Sequence, residues 1–481
     1  MNWKIILRTI GILLLIEGGF IFTCLPFSYY YGGDDARALI ISGVITLLSG
    51  FSLLALFKSS KAADVGKKEG YFIVASTWMI MSLFGGLPYM IHGSIPSLAD
   101  AFFEAMSGFT TTGASILTDV EALPKGLLFW RAMTHWIGGM GIIVFTIAIL
   151  PIFGFGGMQL FAAESPGPTK DKLQPRIKET ARLLWGIYVF MTFLETILLM
   201  LGGMNLWESL CLTFSTVATG GFGTRNTSIG DFSPFIQYVI TIFMILAGTH
   251  FSLHYFMIRG KFKLVWRNQE FRFYLFLILI STLVIWTALG VLSETGIESS
   301  FRLALFQVVS ILTTTGFATA DYLLWPPFTW FLLFLLMFIG GMAGSTAGSV
   351  KVVRVLLFLK VFRQQIRKSI HPNMIRNIMF NDQPVQQTIL GGALTMILLY
   401  LITFAGGTLA LIITNVPFLD AAGSAAACLG NVGPGLGAEG PVGNYAHLTA
   451  LSKWILSILM YMGRLELFSV LILFAPSFWK K

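Results

Sequence analysis

The sequence predicts an all-α integral membrane protein with two N-terminal spans, then four pseudo-fourfold repeats of span, pore loop and span around a central pore. Three observations predict it. Ten long apolar runs divide the chain, its basic residues cluster in certain connections, and four short apolar segments each lead into a glycine.

Hydrophobic residues make up 55% of the 481 residues and charged residues 11%, against roughly 25% charged in soluble domains. Apolar runs occupy 5–28, 37–57, 71–92, 126–150, 180–203, 233–258, 272–293, 327–350, 386–414 and 448–475. Each has about 20 residues or more, enough for a helix to cross about 30 Å of hydrocarbon. The first lacks a small-x-small cleavage site and is followed by another span, so it reads as a span and not as a signal peptide. Cys24, Cys211 and Cys428 form no C-x-x-C pair. No disulfide is expected, and all three read as small packing residues.

Charge sets the orientation. The net charge is +9, and with both termini cytoplasmic most of the 32 Lys and Arg residues fall inside. They are Lys4, Arg8, those of segments 58–68, 170–182, 259–272 and 351–376, and Lys480–Lys481. This positive-inside bias calls for a lipid bilayer as partner and not for nucleic acid. A more acidic outer face would attract cations.

Segments 98–109, 205–217, 299–312 and 417–429 are too short to cross. Each follows a span, is amphipathic and runs into a loop before the next span. Aligning them puts Gly113, Gly220, Gly316 and Gly433 in one column. Such self-similarity marks a repeat architecture. The expected divisions are 1–68 for the two-span addition and 69–178, 179–270, 271–384 and 385–481 for the four repeats.

Non-helical backbone at membrane depth survives only when buried in protein or lining water. Four such loops meeting at one axis would bring the partly negative C-terminal ends of four half-helices together, which favours a cation. A short extended run with inward carbonyls then replaces the ion's hydration shell. Threonine suits that run and glycine takes dihedrals other residues cannot. This explains why TTTG occurs at both 110–113 and 313–316. The filter residues expected are Thr111, Thr112 and Gly113; Ala218, Thr219 and Gly220; Thr314, Thr315 and Gly316; and Asn431, Val432 and Gly433.

Five stretches, HWIGGMGIIVF (135–145), FSTVATGGFGT (214–224), GGMAGSTAGSVK (340–351), NVGPGLG (431–437) and MGRLELFSVLILF (462–474), make the chain resemble a known family. It resembles the TrkH/TrkG members of the Trk/Ktr/HKT superfamily of potassium transporters over essentially its full length. The resemblance implies a potassium-permeable pore, usually dimeric, in a bacterial inner membrane, with a cytosolic TrkA-like nucleotide-binding regulator as partner. In plant relatives a serine in the first glycine position goes with sodium transport. A glycine in all four repeats of this chain implies potassium.

Within 340–351 four glycines fall in ten residues, and each costs a helix roughly 1 kcal/mol relative to alanine. One reading is close helix packing through small-xxx-small spacing. The other, which the resemblance supports, is an unwound intramembrane gate beneath the third filter, formed by Gly340, Gly341, Gly344, Ser345, Gly348 and Lys351. The adjacent Gly-Lys of a phosphate-binding loop is missing. Arg464 falls mid-span, where an arginine must face protein or water. It is expected either to make a structural interhelical pair or to place a positive charge below the filter; Glu466, two residues on, points elsewhere.

Glu17 and Glu195 are intramembrane carboxylates that read as structural hydrogen-bonding groups, with proton coupling the lesser alternative. Arg131 and His135, at i,i+4, are expected to brace the pore helices. His250 and His254 have metal-ligand spacing without an evident third ligand, so no transition-metal site is expected. No cofactor fingerprint or nucleophile–base arrangement occurs, so no enzyme is expected. The function expected is potassium uptake through a gated pore. A proton- or sodium-coupled symporter on the same scaffold is the first alternative, and a membrane-embedded enzyme or scaffold the second.

Overall fold

The computed structural model describes residues 1–57, 66–141, 177–292, 296–373 and 377–480. The chain opens with α1 (Trp3–Phe22), a short α2 (Leu25–Tyr30) and α3 (Ala36–Leu56). Glycines let α1 and α3 approach backbone to backbone. A Cβ on Gly11 would sit 2.9 Å from the Gly50 carbonyl oxygen, and one on Gly50 would sit 2.7 Å from that of Gly11. Such small-residue seams are how helices pack in a bilayer, where no hydrophobic drive holds them together.

Four groups follow, each with a long helix, a short helix, a loop and a further helix. The first has α4 (Lys67–Gly85), α5 (Leu87–His92), the short α6 (Leu98–Phe109) and α7 (Lys125–Trp136), which passes into a π turn at Ile137–Gly141. The second has α8 (Ile177–Leu201), the short α9 (Leu206–Val217), α10 (Pro234–Ala247) and α11 (Phe251–Ile258). A connecting α12 (Phe262–Arg267) leads to the third, with α13 (Gln269–Leu292), the short α14 (Ile297–Leu312), α15 (Pro327–Leu336) and α16 (Val352–Ile370). A hairpin of β1 (Met379–Phe380) and β2 (Gln383–Pro384) precedes the fourth. That group has α17 (Gln387–Ile413), the short α18 (Phe418–Gly430), α19 (Ala450–Arg464) and α20 (Phe468–Leu471).

The short helices begin and stop for local reasons. Ser97 and Asn205 cap α6 and α9 by accepting the N–H of Asp100 and Glu208, which satisfies donors that a helix start leaves free. Each then ends within a turn of the loop that follows, so its C-terminus lies inside the protein.

Six spans of the expected kind are present among the described residues, including Trp3–Tyr30 and Lys68–His92. Two further expected spans are not straight. The run 233–258 bends by 106° between α10 and α11, and 448–475 bends by 107° after α19. At the first break Gly248 ends α10, and His250 Nδ1 accepts the Ser252 N–H at 3.0 Å to start α11. At the second, Glu466 and Leu467 have φ of 54° and 53°, which no helix accommodates. The run 327–350 stays helical only to Leu336. Beyond Gly141, the expected span 126–150 lies outside the described residues, as do most of 58–68 and the start of 170–182.

The groups are arranged in a cycle. α7 of the first packs on α9 of the second, α10 of the second on α14 of the third, and α19 of the fourth on α6 of the first. The loops that follow the short helices repeat that order. Val120 N–H donates to Asn226 Oδ1 at 2.8 Å, Ile229 N–H to the Ala318 carbonyl at 2.9 Å, Tyr322 Oη to the Gly435 carbonyl at 2.8 Å, and Tyr445 N–H to the Ser115 carbonyl at 2.9 Å. The Asn226 amide also holds the Asp119 carboxyl below its usual pKa range.

Candidate functional site

Each short helix ends in a turn of one shape. Thr111, Thr219, Thr314 and Asn431 have φ of 52°, 56°, 56° and 54°, and two residues on Gly113, Gly221, Gly316 and Gly433 have φ of 83°, 84°, 83° and 99°. Between them the N–H groups of Thr112, Gly220, Thr315 and Val432 donate to the carbonyls of Ser107, Ser215, Ser310 and Ala427 at 2.7 to 2.9 Å. This is the helix-ending motif with a left-handed residue just past the helix. Glycine or asparagine usually fills that position, whereas a β-branched threonine there is strained. Three of the four groups carry the strain.

The pattern corrects the register of the second segment. Gly221, not Gly220, matches Gly113, and Gly220 matches Thr112. Ala218, expected in the filter, instead caps α9 with right-handed dihedrals and matches Thr110. The sequence offers two adjacent glycines, Gly220 and Gly221, and the second has the positive φ of the other three. Only the turn hydrogen bonds separate them.

The four turns form a closed ring. A Cβ on Gly113 would overlap the carbonyl oxygen of Gly220, one on Gly221 that of Thr315, and one on Gly316 that of Val432. One on Gly433 would lie 2.6 Å from the oxygen of Thr112, which closes the circle. No side chain fits at any of these positions. The C-terminal ends of α6, α9, α14 and α18 all run into this ring, so four partly negative helix ends surround it.

The doubled TTTG has a matching hydroxyl arrangement. Thr110 Oγ1 accompanies Thr112 Oγ1, and Thr313 Oγ1 accompanies Thr315 Oγ1, each at 2.8 Å. Thr110 and Thr313 also donate to the Met106 and Val309 carbonyls, one helical turn back. In the fourth group Asn431 Nδ2 reaches Thr112 Oγ1 at 3.0 Å and the Met460 carbonyl at 2.9 Å.

Beside the ring lies the unwound stretch between α15 and α16. Several of its backbone groups find partners in other parts of the protein, as membrane depth demands. Gly340 N–H donates to the Val350 carbonyl at 2.9 Å, Met342 N–H to that of Gly248 at 2.9 Å, and the Gly344 carbonyl accepts from Phe251 at 3.1 Å. Gly348 N–H donates to Thr314 Oγ1 at 2.7 Å, which ties the stretch to the third turn. Thr346 Oγ1 reaches the Val217 and Ala247 carbonyls at 3.2 and 3.3 Å in the second group. Ser345 Oγ donates locally to the Met342 carbonyl at 2.6 Å. Gly341 has room for no side chain, since a Cβ there would lie 2.8 Å from the Gly248 carbonyl oxygen.

Arg464 is not mid-span but at the end of α19, beside the break. It donates to the Thr346 carbonyl at 2.7 Å and to the Gly138 and Gly139 carbonyls at 2.8 and 3.1 Å. One guanidinium thus joins the unwound stretch to the first group. Such charge-assisted bonds are stronger than neutral ones. Glu466 pairs with Arg354, while Lys351 Nζ donates to the Ala347 carbonyl.

Two residues were missed in the sequence. One is Thr346, between Gly344 and Gly348. The second is Glu270, whose Oε1 accepts the Ala343 N–H at 2.7 Å. An acidic residue just before an apolar run, opposite a glycine-rich one, was the available signal.

The remaining candidates are placed as follows. Arg131 Nε pairs with Glu104 at 2.7 Å, its Nη1 reaches the Gly223 carbonyl at 3.1 Å, and its guanidinium lies 3.4 Å over the Phe222 ring. His135 stacks on the same ring at 4.0 Å and meets Ser215 Oγ at 3.2 Å. Both link the first and second groups. Glu17 is fully buried beside Gly85, and neither of its carboxylate oxygens has a hydrogen-bond partner among the described residues. The hydrogen-bonding role expected of it is therefore not met by its apolar surroundings. Glu195 is also fully buried, on α8. His254 Nε2 meets the Leu246 carbonyl at 2.9 Å, and no third metal-ligating side chain joins His250 and His254 among the described residues. Cys24, Cys211 and Cys428 are buried free thiols.

Apolar spans, broken helices and a ring of re-entrant turns define an integral membrane protein of the ion-transport class. A family model described as "TrkH: Cation transport protein" matches residues 36–481, and the chain belongs to that family. It is similar to the Trk system potassium uptake protein TrkH of Salmonella typhimurium, with 39% identity covering 100% of both chains. It is also 34% identical to the Trk system potassium uptake protein TrkG of Escherichia coli, over 86% of each chain. Its fold matches the crystal structure of the potassium transporter TrkH from Vibrio parahaemolyticus at a TM-score of 0.89, with 34% identity and full coverage of both chains.

Proposed function

We propose that this protein takes up potassium through a cation-selective pore at the ring of four turns. The closed circle of glycine-to-carbonyl contacts carries the reading, because it packs four dehydrating backbone runs about one centre. The relatives' names, all potassium uptake proteins, support the choice of ion. The filter runs are Thr111–Gly113, Thr219–Gly221, Thr314–Gly316 and Asn431–Gly433, each with one strict glycine.

The stretch Gly340–Lys351 is the gate in this reading. Its bonds to Thr314, Val217 and Arg464 would hold it against the ring until a conformational change breaks them. Control comes from a cytosolic TrkA-like nucleotide-binding partner, and two copies of the chain work side by side in the inner membrane with both termini cytoplasmic. A proton-coupled version draws support from Glu17, a buried carboxyl without a partner among the described residues.

Purified protein in liposomes, with flux followed under separate potassium, sodium and pH gradients, tests the reading. Potassium flux that collapses its own gradient without proton movement is expected. Proton movement in fixed ratio to potassium would favour the symporter, and no potassium flux would end the proposal.

A further inference from the structure

We infer that a basic groove beside α16 binds the headgroup of an anionic phospholipid. The groove is a cavity of about 200 Å³ between α16 and the segment leading into β1, lined by Lys360, Arg363, Arg367, Asn377 and Met379. Lys360, Arg363 and Arg367 follow one another at i+3 and i+4, so they lie on one side of the helix. Arg363 and Arg367 are exposed and have no carboxylate at ion-pair distance among the described residues.

Next to this basic row runs an apolar one. Phe358, Phe362, Ile366 and Ile370 recur every fourth residue and are 42%, 57%, 49% and 68% exposed. A helix with a basic row flanking an exposed apolar row suits the boundary between headgroups and acyl chains. Cytosol alone would leave the apolar row wetted, and hydrocarbon alone would strand the charges.

The depth agrees. Lys360 Nζ donates to the side chain of Gln269, the first residue of the apolar α13, and to the Met379 carbonyl at 2.6 Å. Lys360 therefore marks the edge of the hydrocarbon. Arg363 and Arg367 follow about 4.5 and 10 Å farther along the helix axis, at headgroup level. Phe262 and Trp266 of α12, just before α13, are 58% and 59% exposed, as aromatic side chains at such an interface are. Taking this end as cytoplasmic rests on the orientation in the reading above. Because α16 begins directly after Lys351, an occupied groove would also fix the far end of the unwound stretch.

The test is native mass spectrometry of the full-length protein in detergent, titrated with phosphatidylglycerol or with phosphatidylcholine of the same chains. Phosphatidylglycerol should bind at least tenfold more tightly than phosphatidylcholine. Arg363→Gln with Arg367→Gln should abolish that preference, while Arg363→Lys with Arg367→Lys keeps most of it. Arg259→Gln with Lys261→Gln, elsewhere on the same basic side, should leave it intact. If the glutamine pair fails to fold, Asn377→Asp decides, because a carboxylate in the groove should weaken phosphatidylglycerol alone. The proposal is overturned if the preference survives the glutamine pair or, where that pair does not fold, Asn377→Asp. Displacement of the lipid by millimolar inorganic phosphate would overturn it in favour of a free-anion site. Loss of regulator binding with lipid preference unchanged would make the groove a protein-docking surface instead. Lipid binding is read without transport, so a failed groove and a failed pore reading give different results.

Discussion

Thr110–Gly113 and Thr313–Gly316 spell the same four residues and take the same backbone shape, yet the middle threonines differ in their surroundings. Thr314 Oγ1 accepts the N–H of Gly348. Thr111 Oγ1 is buried with no hydrogen-bond partner among the described residues. The backbone turn and its threonine pairing are thus common to both, whereas a hydroxyl bond to the unwound stretch belongs to the third turn. The difference teaches that the ring repeats one turn about its centre, whereas the unwound stretch is held by the middle threonine of the third turn and not by that of the first.

Removing the asymmetry should have the largest effect. Deleting Gly341–Ser345 shortens the unwound stretch between α15 and α16, and basal potassium flux should rise at least several-fold. Flux unchanged or abolished in a protein that still purifies and melts cooperatively would make the stretch a structural support.

Changes to what the two segments share should act alike. Gly113→Ser and Gly316→Ser each push a side chain into a neighbouring carbonyl, and each should reduce the potassium-to-sodium flux ratio about tenfold, or ~1.4 kcal/mol of discrimination. Gly221→Ser should behave the same way. Gly220→Ser should differ, because a Cβ there meets the His135 ring and not backbone. It should recover in a His135→Ala background, whereas Gly221→Ser should not. If Gly220 and Gly221 respond identically to that background, the corrected register is wrong.

Arg464→Ala removes charge-assisted bonds to Thr346 and Gly138, worth about 1.5–3 kcal/mol each. Basal flux should increase with ion preference unchanged, and Arg464→Lys should show part of the effect, since an ammonium lacks the planar fork. A variant that is destabilised yet gates normally would assign Arg464 to structure alone.

The sharpest comparison has the smallest effect. Thr314→Val keeps the shape and leaves the Gly348 N–H without its acceptor, which should cost about 1–3 kcal/mol and loosen the gate. Thr111→Val removes a hydroxyl that has no such bond, and should stay within about 0.5 kcal/mol of the parent. Thermal melting and flux on both variants decide the matter, and equal responses would show that the two hydroxyls do the same work.

The membrane class, six of the spans among the described residues and the four short helices were legible in the sequence because they rest on composition and length. About 20 apolar residues must cross, about 12 cannot, and backbone at membrane depth must be satisfied within the protein. The observed α6 (Leu98–Phe109) and α9 (Leu206–Val217) accordingly fall where they were expected. Tertiary structure alone decided how those pieces meet. The choice between Gly220 and Gly221 depends on hydrogen bonds to Ser215 and on the Thr315 carbonyl of the next group, and no local pattern encodes either. The same holds for Arg464, which reads as a mid-span charge but sits at a break that Glu466 and Leu467 make, facing carbonyls from groups 118 and more than 300 residues away in sequence. Local chemistry sets which residues can form a helix or leave one. Where a buried polar group finds its partner is set by the approach of distant chain segments, and that is a property of the folded ring.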